Sequence, residues 1–252
     1  MQASEQFART AIALACLLAL TLAVMSLAGI GQRRDLLVSA TRAIVQLALV
    51  ALVIAWIFAN PQGAVAYLAV MLAAATVTAV RRIGCGFRQS GWVLLSIVAG
   101  AAATVGVLAA TGAVSRDVQT LLPFAAQMIG GAMTAALLAG SRLRDDAIER
   151  WGEVEGYVAL GAGPRQAVNA MSTRAVEQSL SPVLDQTKSA GLVLLPGSFV
   201  GLLLGGASPM LAVQIQLLVL VGIVLAQVIA AVLTTFFLAA SVGSLKPVGW
   251  VR

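Results

Sequence analysis

Arg142-Leu-Arg-Asp-Asp-Ala-Ile-Glu-Arg-Trp-Gly-Glu-Val-Glu-Gly-Tyr-Val-Ala-Leu160-Gly161-Ala162-Gly163-Pro164-Arg165 opens the one sizeable charged segment of this chain, which extends to about residue 188. Around it the chain is apolar. Of its 252 residues, 60% are hydrophobic and only 10% charged, with a mean hydropathy of +0.96. A soluble domain does not have that balance, and long uncharged runs of this composition read as membrane-crossing helices. The charged segment decides the layout, because it divides those runs into five before it and two after it.

Working outward, charge-free stretches occur at about 10–30, 43–59, 63–80, 91–114, 120–140, 189–206 and 210–240. About 20 residues of helix cross the hydrocarbon. The second, third and sixth stretches are short and borrow flanking polar residues, whereas the last is long enough to tilt or project. The expected fold is therefore all-α: one polytopic membrane domain over 1–252 with seven spans. The first run lacks a distinct basic leader and a small-x-small cleavage site, so it reads as a true span.

The basic residues orient these spans. Arg33, Arg34 and Arg42 follow the first, and Arg81, Arg82 and Arg88 follow the third. Arg142, Arg144, Arg150, Arg165, Arg174 and Lys188 follow the fifth, and Lys246 and Arg252 follow the seventh. Only Arg9 and Arg116, of 16 basic residues, fall on the other side. Basic residues accumulate in cytoplasmic loops, which places the N-terminus outside and the 142–188 segment and C-terminus in the cytoplasm of a multi-pass inner-membrane protein. The net charge of +6 is thus an orientation signal and not a nucleic-acid surface.

Composition also excludes chemistry. The chain has no histidine, which removes imidazole acid–base catalysis, Ser-His-Asp triads and His-ligated metals. Cys16 and Cys85 are too far apart in sequence to form a motif. No ATP-binding motif and no catalytic constellation occurs, so an intramembrane enzyme is poorly supported.

Within the spans, Gln46, Gln127, Gln214, Gln216 and Gln227 are the notable polar residues, and an amide in hydrocarbon needs a partner or a wet cavity. Gln46, after Arg42, and Gln127-Met128, near Pro123 and Gly130-Gly131, are candidate pathway residues. In the sixth stretch Pro196 cannot donate a backbone hydrogen bond, so Pro196-Gly197 is a candidate hinge. Gly197, Gly201 and Gly205 form a flat stripe for close helix packing, within the chain or against a moving neighbour. No expected span holds a carboxylate or a basic residue, which argues against self-powered transport.

In the charged segment Ile148, Trp151, Glu155 and Val158 approximate one helical face, continuing the fifth span as an amphipathic cytoplasmic helix. Gly161-Ala162-Gly163-Pro164 stops it, with Pro164 placed for the first turn of a second helix over Arg165–Leu180. Ser181-Pro182 restarts the chain toward the membrane, with Asp185 and Lys188 three apart as a structural pair. Such a hairpin is either a solvated surface or an element on which a partner docks to transmit movement; without an ATP site in the chain, a separate ATPase is the candidate partner.

This arrangement resembles ABC-transporter permeases, whose coupling helices sit in a groove of an ATPase subunit. Importer permeases carry a Glu-Ala-Ala motif with a Gly six residues after the Glu; Glu155 and Gly161 keep that spacing, with Gly156-Tyr157 in place of the alanines. Three segments resemble the FetB-type permeases of iron-export and metal-resistance ABC transporters across nearly the whole chain: Thr41-Arg42-Ala43-Ile44-Val45-Gln46-Leu47, Leu160-Gly161-Ala162-Gly163-Pro164-Arg165-Gln166-Ala167, and Asp185 through Gly197. The resemblance implies a homodimeric permease in membrane lipid, with Glu155, Gly161, Ala162, Gly163, Pro164 and Arg165 facing a separate cytoplasmic ATPase. ATP and Mg would be held by that partner, and this chain would bind no cofactor. Iron or metal export is the implied activity, although plant relatives tied to aluminium tolerance have been linked to a nucleotide sugar. A permease for such a sugar or another small solute, or a stand-alone secondary transporter or channel, remains open. The sequence leaves any metal ligands unknown.

Overall fold

The computed structural model describes residues 2–242, and Lys246 and Arg252, part of the orientation argument, lie outside the described residues. Every regular element among them is helical, and the chain divides into two compact units, 1–60 and 61–252.

The first unit holds α1 (Gln2–Leu27) and α2 (Arg33–Ala59). Gly29 at φ 69° closes α1, with the Ile30 N–H donating back to the Met25 carbonyl at 2.9 Å. The reversal is short because glycine takes the left-handed conformation that ends a helix. Arg33 also donates to the Ser26 carbonyl, at 3.4 Å.

The second unit contains α3 (Gly63–Ile83), a single 3-10 turn (Phe87–Gln89), α4 (Ser90–Thr111), α5 (Val118–Glu149), α6 (Trp151–Ala159), α7 (Pro164–Ala167), α8 (Asn169–Ser189), α9 (Gly197–Leu204) and α10 (Pro209–Val242). α5 packs against α3, α4, α8 and α10 and is the hub of the bundle. Small side chains make this possible: Ala132, Ala135, Ala136 and Ala139 of α5 are buried, as are Ala226, Ala230 and Ala231 of α10. In hydrocarbon, close backbone approach replaces the hydrophobic drive between helices. The tightest approach brings Gly100 of α4 against the Ala226 carbonyl of α10, where a methyl group has no room. One turn away the Thr104 hydroxyl donates to the Gly222 carbonyl at 3.3 Å, and to its own Gly100 carbonyl at 3.1 Å. At the other end, the Arg144 guanidinium donates to the Ile83 carbonyl at 3.1 Å, satisfying the last turn of α3 where Gly84 turns the chain at φ 69°.

Among the described residues six helices, not seven, are long and apolar enough to cross a membrane: Ala8–Leu27, Arg33–Ala59, Gly63–Ile83, Phe87–Thr111, Val118–Glu149 and Pro209–Ser241. The expected sixth span over 189–206 supplies only α9, eight residues long. That is roughly 12 Å of helix, well short of the hydrocarbon thickness. The physical reason lies in the sequence of the break. Gly191 takes φ 86° and Pro196 removes a donor, so residues 190–196 close as a turn, with the Gly191 N–H donating to the Leu194 carbonyl at 2.9 Å.

Two further expectations change. α5 continues into the charged segment as expected, but only to Glu149, and Arg150 at φ −108° separates it from α6. The inward face of that segment is Ala147, Trp151 and Val154, whereas Glu155 and Val158 are exposed. Pro182 does not restart a helix either: α8 passes through it without interruption.

Candidate functional site

The second helix of the charged segment turns back along the bundle. Val176 of α8 packs on Ala135, Ala139 and Ala231, and Val183 lies with Gln127 of α5 and Val219 and Leu220 of α10. α8 therefore runs antiparallel to α10, beside stretches of α5 and α10 that the sequence assigns to the hydrocarbon. Its inner face, Met171, Ala175, Ser179 and Val183, repeats every fourth residue and is buried. Its outer face carries Arg174, Glu177, Gln178, Ser181, Asp185 and Lys188, all exposed. Asp185 and Lys188 form the expected pair at 3.6 Å, with their side chains 73% and 76% exposed.

Where α8 ends, a polar cleft of about 290 Å³ opens between Gln127, Gln186, Pro196-Gly197, Ser198 and Gln216. The Ser198 hydroxyl donates to the Gln216 carbonyl oxygen at 2.6 Å. Gln216 is 6% exposed, and this bond removes the penalty of burying its acceptor. The helical rise places Gln127 roughly 14 Å from the start of α5 and Gln216 roughly 10 Å from the start of α10. The first N–H groups of α9 also lack intrahelical acceptors at this edge of the cleft. Amides and a hydroxyl can both donate and accept here; no ionisable side chain lines the cleft. Among the described residues no group of three or more His, Cys, Asp or Glu side chains is placed to hold a metal ion.

Of the sequence candidates, Gln127, Pro196 and Gly197 thus come together. Met128 does not join them: it is fully buried in the core, its sulfur against Gly222. Gln46 is an exposed residue of α2, in the first unit. Gly197 and Gly201 face open space within 4 Å, and Gly205 meets only carbonyls of its own helix, so no packing among the described residues uses this stripe. Gln216 was visible as a polar residue in a span. Gln186 and Ser198 were not, because the one signal that α8 packs on the bundle, the four-residue spacing of Met171, Ala175, Ser179 and Val183, is masked by the charges around it.

At the far end of α8 the turn has the anticipated form. Gly161 sits at φ 90°, the Ala162 N–H donates to the Tyr157 carbonyl and the Gly161 N–H to the Val158 carbonyl, each at 3.0 Å. These are the two bonds by which a left-handed glycine terminates a helix. Gly163 then caps α7, its N–H donating to Gln166 Oε1 at 3.0 Å, with Pro164 in the first turn, where no donor is needed. The hairpin is anchored from below by buried Val154, Ala167, Val168 and Met171, and it presents Tyr157, Val158 and Leu160 outward, Leu160 at 87% exposure. The Arg165 guanidinium lies 3.9 Å over the Phe236 ring of α10.

Comparison with known proteins agrees with the helical membrane architecture. The chain is 33% identical over 228 residues to the UPF0014 membrane protein STAR2 of Oryza sativa subsp. japonica, covering 89% of this chain and 80% of that one. It is 35% identical to Protein ALUMINUM SENSITIVE 3 of Arabidopsis thaliana over 80% of this chain and 75% of that one. With the probable iron export permease protein FetB of Escherichia coli strain K12 it shares 31% identity over 74% of this chain and 73% of the relative. No solved structure gives a significant match. The model of the uncharacterised protein family UPF0014 matches residues 8–242, and the chain, a multi-pass membrane protein, belongs to that family, the same one that holds relatives of the FetB permease type.

Proposed function

We propose that the chain is the membrane subunit of an ATP-driven exporter in the inner membrane, working as a pair of copies with a separate cytoplasmic ATPase. The observation that carries this reading is α8, a polar helix laid along apolar stretches of α5 and α10 with its charged face uncovered. At the centre of a lipid-facing helix, an Asp or Lys costs about 2.5–3.5 kcal/mol each on insertion scales. Asp185 and Lys188 together would then forfeit roughly 5–7 kcal/mol, as much as the whole stability of many domains. Such a face belongs against water or a second copy, which is what a transport pathway needs. In this reading α8 and α9 together form the missing crossing, the Gln127–Gln186–Gln216 cleft is a substrate subsite, and the exposed Tyr157–Leu160 tip with Gly161–Pro164 receives the ATPase, Arg165 being turned onto Phe236.

Iron is the cargo proposed by similarity to the FetB relative. A second reading, a neutral polar solute, is favoured by the amide and hydroxyl lining of the cleft. The deciding experiment purifies the tagged chain from its native membrane, identifies an accompanying ATPase, and reconstitutes both in proteoliposomes. ATP-dependent movement of iron supports the first reading and movement of a neutral solute alone the second. Transport that survives without any ATPase, on an ion gradient, would refute the ATP-driven scheme.

A further inference from the structure

Apart from the transport cleft, and independently of the transport reading, a second cleft of about 300 Å³ lies between the first half of α8 and the end of α10. Its chemistry is two-sided. Arg165 and Asn169 stand at one end, and Val176, Val232, Phe236 and Ala239 supply an apolar wall. The Arg165 guanidinium makes no ion pair among the described residues; the Phe236 ring 3.9 Å below holds it in place. The hydroxyls nearby are already committed as donors: Ser172 to the Val168 carbonyl at 3.0 Å, Thr173 to Asn169 at 3.3 Å and Thr235 to Ala231 at 3.0 Å. What remains free to donate is the guanidinium and the Asn169 amide, a pair suited to an anion's oxygens.

Depth and the neighbouring surface identify the source of that anion. Phe236 lies 27 residues beyond Pro209, about 40 Å along α10, past the hydrocarbon and at the level of the headgroups. From the cleft an exposed apolar stripe continues up α10 through Phe236, Val232, Leu225, Val221 and Leu217, all within one 100° face. A free phosphate needs no such stripe; an acyl chain does. We propose that this cleft binds an anionic phospholipid, its phosphate on Arg165 and Asn169 and one acyl chain along the α10 stripe. Glu177, the one carboxylate lining the cleft, stands about 12 Å further along α8 than Asn169 and confines the phosphate to the Arg165 end.

The test uses the full chain in detergent with dioleoylphosphatidylglycerol, the same-chain phosphatidylcholine, and glycerol phosphate, read by native mass spectrometry and by thermal midpoint. Phosphatidylglycerol should be retained in preference to phosphatidylcholine. Arg165→Gln should cut that preference about fivefold, the factor one basic residue is worth at an anionic membrane surface. Arg165→Lys should keep most of it, Glu177→Gln should increase it, and Phe236→Ala should weaken retention of both lipids. Arg150→Gln, an equal loss of charge from an exposed site, should change nothing. An unchanged preference in Arg165→Gln overturns the proposal, as does equal stabilisation by glycerol phosphate or lipid retention that appears only when an ATPase is bound.

Discussion

If the outer face of α8 lines water at bilayer depth, its residues will react with a hydrophilic reagent in a helical rhythm. Single cysteines at Arg174, Gln178, Ser181 and Asp185, all exposed, are compared with cysteines at Ala175, Ser179 and Val183, at 0%, 2% and 5% exposure, after Cys16 and Cys85 are replaced. Labelling a buried position requires local opening, and each 1.4 kcal/mol or so of opening slows it tenfold. Packing against α5 and α10 makes several such units reasonable, so the outer series should label at least about a hundredfold faster than the inner one. The outer series, from Arg174 to Asp185, covers about 16 Å of the helix, roughly half of the hydrocarbon thickness. The assay is the rate of modification by a charged, membrane-impermeant maleimide in proteoliposomes, read by a mass shift. Modification of Ser181→Cys and Asp185→Cys by a lipid-soluble maleimide but not by the charged one would place this face in hydrocarbon and refute the reasoning. Equal rates for both series would show that α8 does not pack where it is placed.

Other outcomes follow from the same geometry. Gly100→Ala drives a methyl into the Ala226 carbonyl and should lower stability by about 1–3 kcal/mol, whereas Gly201→Leu, facing open space, should leave the thermal midpoint of the isolated protomer unchanged and reduce transport only if a second copy packs there; thermal unfolding and transport are measured side by side. Gly161→Val forces a β-branched residue to φ 90° and should abolish ATPase stimulation while membrane expression persists, tested by co-purification and ATP hydrolysis. Leu160→Cys should label from the cytoplasmic side alone in intact cells and inverted vesicles. Burial pushes the Cys85 thiol above its ordinary range, outweighing its backbone hydrogen bond and nearby Arg144, so at pH 7.5 a smaller thiolate fraction should make it alkylate more slowly than an unfolded-state cysteine; the gap should narrow as pH rises.

Much of the fold was readable because bilayers impose simple demands. Five of the seven expected stretches coincide with helices of spanning length before the charged segment, and the long run at 210–240 is α10. The Gly161-Ala162-Gly163-Pro164 turn was readable residue by residue, since only glycine takes the left-handed position cheaply and proline fits the first turn of a helix. Failure came where local polarity and tertiary placement disagree. Polarity reads α8 as a solvated helix, whereas its face of Met171, Ala175, Ser179 and Val183, at four-residue spacing, is buried. That spacing was the available signal. It was masked because Arg174, Glu177, Asp185 and Lys188 dominate the average and Pro182 suggests a boundary. Hydropathy of the Leu192–Leu195 run likewise implied a continuous span where Gly191 and Pro196 dictate a break.

The disposition of stiff and soft parts bears on how a docked partner would move this chain. The tip at Gly161 is not a loose loop: Val154, Ala167 and Val168 bury its base, and Arg165 fixes it over Phe236. From there α8 continues unbroken through Pro182 to Ser189, a rod of about 31 Å whose far end reaches the polar cleft. Residues 190–196 are the joint proposed to bend, and the N–H groups of Gly191 to Leu194 already donate to Leu194 and Ser189 carbonyls. Bending there exposes few unsatisfied backbone groups, which is the condition for irregular backbone to be tolerated at membrane depth. In the proposed coupling a displacement applied at the tip would reach Gln186, while Ser198, beyond the joint and bonded to Gln216, is held by α10. In the proposed cycle the two sides of the cleft would move separately, and opening it would require no rearrangement of the alanine-packed contacts between α5 and α10.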